Sequence, residues 1–177
     1  MQNQFDLVVA CDLNRGIGVN NQLPWRLRDD MKNFSSLTTG RNSNVGSQNA
    51  VIMGRKTWQS IPAKFRPLPD RFNIVVTSNI NLDLPPGVVS CKSLDDALKV
   101  ATAHNCGQTF VIGGARIYEE AMEHPSCRRL YITEVFGKFE CDVFFPLYKE
   151  RFSLVEEQPP REENGIKYAF KVYEKAH

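Results

Sequence analysis

The sequence predicts an α/β fold with a mainly parallel sheet, helices on both faces of the sheet and an antiparallel edge. Short apolar runs alternate with helical patterns along most of the chain. Such alternation is typical of parallel sheets, because parallel strands need long crossover connections. Two of these runs enter a helix through glycine. Near the C-terminus two long strand patterns follow each other directly, which predicts an antiparallel pair at the sheet edge.

The first half of the chain predicts two strands and two helices. The apolar run 5–11 (FDLVVAC) is a buried strand, and the Asn- and Gly-rich residues 12–24 form a long loop. A helix follows, and a polar stretch at 39–49 connects it to a second strand at 50–53 (AVIM). This strand passes through Gly54 into a short helix, RKTWQSI, which the following proline stops.

The second half continues the alternation. Strand patterns recur at four places: 72–78, 87–91, 109–114 and 129–136. A helix is predicted at 93–105 with Ser93 as its N-cap, and another begins at Ala115 and ends before a proline. The tail then predicts two long strands joined by a polar loop that contains Gly165.

Size and composition limit the classes of function. The chain has 177 residues, enough for one hydrophobic core, and we expect a single domain over 1–177. Hydrophobic residues make up 42% and charged residues 24%, as in globular proteins. The net charge is +2 and no basic run occurs, so nucleic acid is not an expected partner. No apolar run approaches the roughly 20 residues of a membrane helix, and the N-terminus lacks the basic start of a signal peptide.

The cysteine and histidine patterns favour neither disulfides nor a metal site. Five cysteines are an odd and scattered set, which indicates reduced thiols and a cytoplasmic location. No Cys and His pair has the spacing of zinc ligands. His104, His124 and His177 lie far apart, and we expect each of them at the surface rather than in catalysis.

The first helix carries two adjacent aspartates that point in different directions. Helical residues advance by about 100°, which places four apolar side chains in one stripe: Leu27, Met31, Phe34 and Leu37. Asp29 falls on the opposite face, where we expect water. Asp30 falls inside the stripe, and an unpaired carboxylate there is unfavourable. Asp30 is therefore predicted to have a partner, either a basic side chain or a ligand.

The two strand–glycine–helix junctions predict anion binding. A helix that begins at glycine lets the backbone approach a ligand and directs free N–H groups at it. Arg55, Lys56 and Thr57 follow Gly54, while Gly113 and Gly114 supply only backbone. Two such junctions suit the pyrophosphate of a dinucleotide, although similar junctions also occur in α/β proteins that bind no nucleotide. Neither junction has the pattern of a Rossmann dehydrogenase or a P-loop enzyme.

Five motifs, in this order and spacing, resemble dihydrofolate reductases: GIGVNNQLPW before the acidic helix, VIMGRKTWQSIP, RPLPDR, VIGGARIY and DVFFP. The tail GIKYAFKVYEK resembles the end of the vertebrate-type enzyme. The resemblance covers essentially the whole chain, and it is to the monofunctional enzyme, which carries no thymidylate synthase portion. It implies an eight-stranded, mainly parallel sheet. It also implies a reaction in which NADPH gives a hydride to 7,8-dihydrofolate to form tetrahydrofolate, in one-carbon metabolism. From the resemblance we also expect that antifolates, which are folate analogues, bind as inhibitors, and that the protein is a monomer.

The resemblance assigns the acid of the reaction to Asp30, which matches the pterin-binding carboxylate of the family. Vertebrate-type enzymes have Glu at this position, and Asp is the shorter side chain. Burial among apolar groups is expected to raise its pKa, so that it can help to supply a proton near neutral pH. The proton must reach a nitrogen that Asp30 cannot touch, which implies water or substrate tautomerism. Trp25 resembles the water-holding tryptophan, with plain packing as the alternative, and Leu23 resembles the lid residue beside the nicotinamide.

Other substrate contacts are implied by the resemblance alone. Thr133 resembles the hydroxyl behind the acid, and Arg71 resembles the arginine that holds the glutamate carboxylate of the substrate. Without the resemblance, Arg71 would be taken for a solvated turn residue. The remaining residues resemble walls of the pterin pocket: Val8, Val9, Ala10, Met31, Phe34, Ile61, Leu68 and Ile112.

The cofactor contacts that the resemblance implies are Ala10, Ile17, Gly18, Gly54, Arg55, Lys56, Thr57, Thr77, Ser78, Lys92, Gly113, Gly114, Ala115, Arg116, Ile117 and Tyr118. Gly113 and Gly114 resemble the cis glycine pair of the family. One departure concerns the adenosine 2′-phosphate, which vertebrate-type enzymes grip with a Ser-Arg pair after the third strand. Here Ser78 is followed by asparagine, so Arg55 and Lys92 remain as the charges for that group.

Two alternatives stay open on the sequence. A reductase of riboflavin biosynthesis shares this type of fold, but that class need not bind a pterin through a helix carboxylate. A catalytically silent nucleotide-binding module would explain the glycine junctions but not an acid kept in an apolar stripe. Asp30 and Arg71 discriminate against the first alternative, and Asp30 discriminates against the second.

Overall fold

A parallel sheet forms the centre of the protein. The computed structural model describes residues 4–40, 47–79 and 81–176. Six strands run parallel: β1 (Phe5–Cys11), β3 (Asn49–Gly54), β4 (Arg71–Val76), β5 (Val89–Cys91), β6 (Thr109–Val111) and β7 (Cys127–Phe136). Their spatial order is β7-β1-β6-β3-β4-β5, so the chain starts in the middle of the sheet and winds outward in both directions.

The C-terminal strands complete the sheet as an antiparallel edge. β11 (Ile166–Lys175) pairs with β7, and β9 (Phe152–Glu157) and β10 (Arg161–Glu163) both pair with the other side of β11. Pro159 and Pro160 separate β9 from β10, because proline cannot donate to the ladder. With these two pieces taken as one interrupted edge strand, the sheet has the eight strands expected, mainly parallel.

Helices cover both faces of the sheet. α3 (Leu94–Ala103) and α4 (Ala115–Glu123) pack on one face, where Ala97 and Met122 join the cluster around Leu7 and Ile52. On the other face, α1 (Arg28–Thr39) and α2 (Arg55–Ser60) pack where Trp58 and Leu37 meet the cluster around Val51. A turn of 3₁₀ helix, Ala63–Phe65, follows α2. Ser93 caps α3 as predicted, since its side chain accepts a 3.1 Å hydrogen bond from the backbone N–H of Asp96.

The loop predicted at 12–24 contains regular structure that the sequence did not indicate. Its residues Gly16–Gly18 form β2, which pairs with β8 (Val143–Phe144) in a separate two-stranded sheet. The partner strand lies more than 120 residues away, so local sequence carries no sign of it. The buried Asp12 carboxylate holds the arrangement by accepting hydrogen bonds from the backbone N–H of Asn14, Gly16 and Phe139.

The polar stretch at 39–49 and the histidines are only partly described by the structure. Residues 41–46 of the polar stretch at 39–49, and His177, lie outside the described residues. His104 is exposed, whereas His124 is half-buried and its Nε2 lies 2.8 Å from Asp95. Among the residues described, no helix has the length and apolar character needed to span a membrane.

Candidate active site

A large cleft opens at the carboxyl ends of the parallel strands, where α/β sheets bind their ligands. It is bounded by α1 and by the first turns of α2 and α4. Its volume of about 1700 Å³ exceeds the roughly 300–1,000 Å³ of a typical small-molecule pocket. The cleft therefore has room for two ligands side by side. Every residue predicted to contact substrate or cofactor lines it, and among the three predicted catalytic residues only Trp25 does not.

Asp30 faces the cleft from the first turn of α1. Its Oδ1 accepts a 2.5 Å hydrogen bond from the hydroxyl of Thr133 in β7, 103 residues away in the chain. Among the described residues, nothing donates a hydrogen bond to Oδ2 and no basic side chain pairs with the carboxylate. Burial raises the pKa of Asp30 most, the Thr133 hydrogen bond lowers it, and the charges of Asp29 and Glu163 raise it further. The free oxygen and the raised pKa leave Asp30 available for a ligand.

The apolar stripe of α1 lines the cleft, and Leu37 at its far end also packs against the core cluster around Val51. Met31 is 61% exposed and faces the cavity, as do the half-buried Phe34 and Leu37. Only Leu27, at the N-cap of the helix, is fully buried, and it packs with Trp25 and other residues of a small cluster. The stripe thus provides an apolar wall for a ligand.

Asp29 is partly exposed, as expected for the side of α1 that faces water, but it is not a free surface charge. Its Oδ2 accepts hydrogen bonds from Nη1 of Arg161 at 2.8 Å and from the hydroxyl of Tyr168 at 3.0 Å. Burial and then this hydrogen bond raise the pKa of Tyr168 to about 12. The helical wheel correctly placed Asp29 away from the apolar stripe that contains Asp30. It could not show that the hairpin formed by β10 and β11 covers that face.

Trp25 lies behind the cleft and not on its surface. Its ring is 6% exposed and meets Phe139 edge to face, with 5.3 Å between the ring centres. Among the residues that the structure describes, its indole Nε1 is a buried donor with no hydrogen-bond partner. A buried donor without a partner is unfavourable. This geometry suits the water-holding role implied for Trp25, and it also includes the packing role that was the alternative.

Arg71 is a buried arginine, and two of its three guanidinium nitrogens donate hydrogen bonds to described residues. Its Nε donates to the carbonyl of Pro69 at 2.8 Å, and its Nη1 donates to Oγ1 of Thr38 at 2.9 Å. Only 8% of the residue is exposed, which rules out the solvated turn residue considered as the alternative. Burial lowers the pKa of the guanidinium, and within the described residues no carboxylate pairs with it. Nη2 donates to no described residue, so a carboxylate could bind there.

The two glycine junctions lie side by side. The N–H of Gly54 donates to the carbonyl of Gly113 at 2.8 Å, and the Gly113–Gly114 peptide is cis, as implied for the pair. Gly54 and Gly114 are the N-caps of α2 and α4, and neither helix has a side-chain cap. A Cβ on Gly113 would lie 3.3 Å from the hydroxyl of Thr57, so glycine keeps the junction open. The first turns of two adjacent helices without side-chain caps fit a dinucleotide pyrophosphate.

The far end of this groove carries the charges expected for a phosphate. Arg55 and Lys92 are exposed and line the cleft, and Ser78 is exposed beside them. Thr77 is buried, and its Oγ1 accepts a 3.1 Å hydrogen bond from the N–H of Asn79, so it shapes the turn. Thr77 is therefore a less suitable phosphate ligand than Ser78, Arg55 or Lys92.

Comparison with known proteins decides the family. The family model described as "Dihydrofolate reductase" matches residues 4–175. The chain belongs to the dihydrofolate reductase family. It is 45% identical to the dihydrofolate reductase of Drosophila melanogaster over 179 residues, which cover 97% of this chain and 98% of the relative. It is also 45% identical to the enzyme of Rattus norvegicus, over 99% of each chain. The structure of Schistosoma mansoni dihydrofolate reductase superposes with a TM-score of 0.86 at 34% identity, over 99% of this chain and 100% of that one.

Sequence reasoning within the dihydrofolate reductase family missed residues that support the cleft from behind. Thr38 is fully buried and holds both the Arg71 guanidinium and the carbonyl of Phe34. Glu163 accepts hydrogen bonds from the first turn of α1, next to Asp30. The sequence contained one signal for the second contact, because Leu27, the N-cap residue of α1, has no side chain that can cap a helix.

Proposed function

We propose that this protein reduces 7,8-dihydrofolate to 5,6,7,8-tetrahydrofolate in one-carbon metabolism. The observation that carries the proposal is the carboxylate of Asp30, which lies in an apolar wall with one oxygen bound to Thr133 and the other free. A pterin presents a ring nitrogen and an amino group side by side, and this pair of donors matches a free carboxylate. Neither alternative function requires an acid in this position.

NADPH, when bound in the groove between the glycine junctions and Lys92, supplies the hydride. The residues of the chain hold the two ligands in place and keep water from the apolar wall. Gly54, Gly113 and Gly114 let the backbone approach the pyrophosphate, and Arg55 and Lys92 attract the 2′-phosphate. Ile17 and Leu23, in the segment that contains β2, line the cleft and would contact the nicotinamide, with the 55% exposed Leu23 as its lid.

Asp30 binds the pterin and also serves as a source of the proton that the reaction needs. Its elevated pKa keeps a larger protonated fraction at neutral pH than an ordinary aspartate would have. In the pose that the family resemblance implies, the substrate nitrogen that takes the proton would lie beyond the reach of Asp30, so a water molecule or a tautomer of the substrate would complete the transfer. For the buried indole N–H of Trp25, which donates to no described residue, we propose an ordered water molecule as the acceptor.

Arg71 is proposed to bind the glutamate carboxylate of dihydrofolate through its free Nη2. We further propose that residues 1–177 act as one domain and as a cytoplasmic monomer that has no nucleic-acid partner. Folate analogues of the antifolate class should compete for the same pocket, because they share the donor pair that Asp30 recognises.

The experiment is the loss of NADPH absorbance on addition of dihydrofolate, with no metal or flavin present. Turnover that needs both compounds supports the proposal, and competition by an antifolate places the reaction in the same pocket. A folded protein that binds NADPH but shows no turnover would favour the silent nucleotide-binding module. Turnover of a ribosylated pyrimidine instead of dihydrofolate would favour the riboflavin-type reductase.

A further inference from the structure

The helix that carries Asp30 has no cap of its own. Leu27 occupies the N-cap with an extended backbone, and its side chain accepts no hydrogen bond. The first N–H groups of a helix have no partner within the helix and need one from outside. Glu163 of β10 supplies it, because its two carboxylate oxygens accept the N–H of Arg28 at 2.8 Å and the N–H of Asp29 at 3.1 Å. The cap therefore comes from a strand about 135 residues further along the chain.

A second set of contacts, from the hairpin formed by β10 and β11, fixes the rotation of α1 about its axis. Asp29 binds Arg161 of β10 and Tyr168 of β11 through its Oδ2. Adjacent helical residues point about 100° apart, so fastening Asp29 to the hairpin turns Asp30 toward the cleft. β11 also pairs with β7, where Phe170 lies opposite Thr133. One hairpin thus sets the positions of both Asp30 and the hydroxyl that it meets.

We propose that Glu163 is a positioning residue for the reaction, and that it holds the first turn of α1 so that Asp30 meets Thr133 within the apolar wall. The proposal rests on the proposed function, in which Asp30 is the acid. Glu163 lines no part of the cleft and touches neither ligand site. It acts through the backbone of the two residues that precede Asp30 in the helix.

The charges around Asp30 indicate a second consequence of this arrangement. Asp29, Arg28 and Lys32 lie on its own helix, Glu163 and Arg161 on β10, Tyr168 on β11, and the hydroxyl of Thr133 on β7. β3, which also packs against α1, presents no ionisable side chain. Burial is the main cause of the raised pKa of Asp30, and the negative charges of Asp29 and Glu163 add to it. The carboxylate that caps the helix therefore also disfavours ionisation of the acid.

The chain offers a matched control in the neighbouring residue. Glu162 also lies on β10, carries the same charge and is exposed. It lies opposite Lys167 and caps no helix in the described part of the chain. Glu163→Gln keeps one acceptor and removes the charge, and Glu163→Ala removes both. The same two substitutions at Glu162 change the net charge equally and leave α1 capped. Thermal unfolding of all four variants checks that each is folded.

Three measurements on the full chain test the proposal. Amide hydrogen exchange at Arg28 and Asp29 should be about fivefold faster in Glu163→Ala, as for the loss of a helix cap, and unchanged in both Glu162 variants. Carboxyl-carbon NMR should show a lower pKa of Asp30 in Glu163→Gln, because one negative neighbour is gone. Turnover of dihydrofolate should fall about 10-fold or more in Glu163→Ala, as for a small displacement of a reacting group, with an unchanged Michaelis constant for NADPH.

The outcomes separate this inference from the proposed function. Exchange, pKa and turnover that match those of the Glu162 variants would overturn the positioning role of Glu163. So would a loss of stability alone, with the pKa of Asp30 and the turnover unchanged. A parent protein without turnover would defeat the proposed function, and amide exchange together with the pKa of Asp30 would still decide whether Glu163 positions that residue.

Discussion

The hydroxyl of Thr133 donates a 2.5 Å hydrogen bond to Oδ1 of Asp30, which joins the first turn of α1 to the centre of β7. This bond satisfies one oxygen of a carboxylate that would otherwise be costly to bury. It leaves the second oxygen directed at the cleft. The pair therefore combines stability in the absence of ligand with the capacity to bind one, and the first prediction depends on it.

Asp30→Asn keeps the shape of the side chain and its bond to Thr133 but removes the ionisable oxygen. We expect turnover of dihydrofolate to fall about 100-fold or more near neutral pH, in line with general acid contributions of roughly 10²–10⁴. The loss should shrink as the pH falls, because solvent protons then protonate the substrate. Turnover measured against pH for the variant, the parent and the exposed Asp83→Asn as control checks this. A loss that is constant with pH would contradict the acid role.

The same substitution should raise stability at neutral pH. Burial raises the pKa of Asp30 in the folded state, so the folded protein keeps this proton to a higher pH than the unfolded chain. The contribution of Asp30 to stability is therefore greatest below the ordinary pKa of about 3.9 and is lost as the pH rises through the folded value. Urea unfolding should show Asp30→Asn more stable than the parent at pH 7.5, with the difference vanishing near the ordinary pKa. Greater stability of the parent at pH 7.5 would show that a favourable partner outweighs burial.

Asp29→Asn should lower stability measurably, unlike a substitution at an ordinary surface site. It weakens the ion pair with Arg161 and the hydrogen bond from Tyr168, and we expect a loss of about 1 kcal/mol in the free energy of unfolding. Turnover should fall far less than in Asp30→Asn. Urea unfolding with Asp83→Asn as a matched exposed control measures the first effect, and equal stability of the two variants would contradict it.

Arg71→Lys should weaken binding of the substrate tail. Two nitrogens of the guanidinium already bind Pro69 and Thr38, and this anchoring directs the third at the cleft. Lysine cannot reproduce the fork. The Michaelis constant for dihydrofolate should rise about 10-fold or more, as for a lost hydrogen bond to a charged group, and much less for a pterin without glutamate. Arg66→Lys, which lies outside the cleft lining, serves as the control, and equal losses on both substrates would indicate a structural arginine.

Removal of the charges at Arg55 and Lys92 should reduce the preference for NADPH over NADH. Two cations beside a dianionic phosphate form charge-assisted hydrogen bonds that NADH cannot accept. The double variant to alanine should weaken NADPH binding strongly and NADH binding little. Dissociation constants for both cofactors, with Lys99→Ala as a control on α3, provide the measurement. If both cofactors weaken equally, other residues recognise the 2′-phosphate.

Much of the architecture followed from local patterns. Apolar runs placed the parallel strands, and Ser93 placed the start of α3, since these depend on residues close in the chain. The 3.6-residue period placed Asp29 and Asp30 on different faces of α1. The resemblance then gathered residues from 8 to 133 into one expected site, and the structure brings all of them except Trp25 to the surface of one cleft.

Other features depend on partners that are distant in sequence, and only the folded chain brings them together. β2 needs β8, the first turn of α1 needs Glu163, and Asp29 needs Arg161 and Tyr168. No periodicity within a segment records a hydrogen bond to a residue more than a hundred positions away. The apolar stripe of α1 illustrates the same limit. Its period predicts a helix with one apolar face, whereas tertiary packing decides that Met31, Phe34 and Leu37 of this face line a ligand cleft.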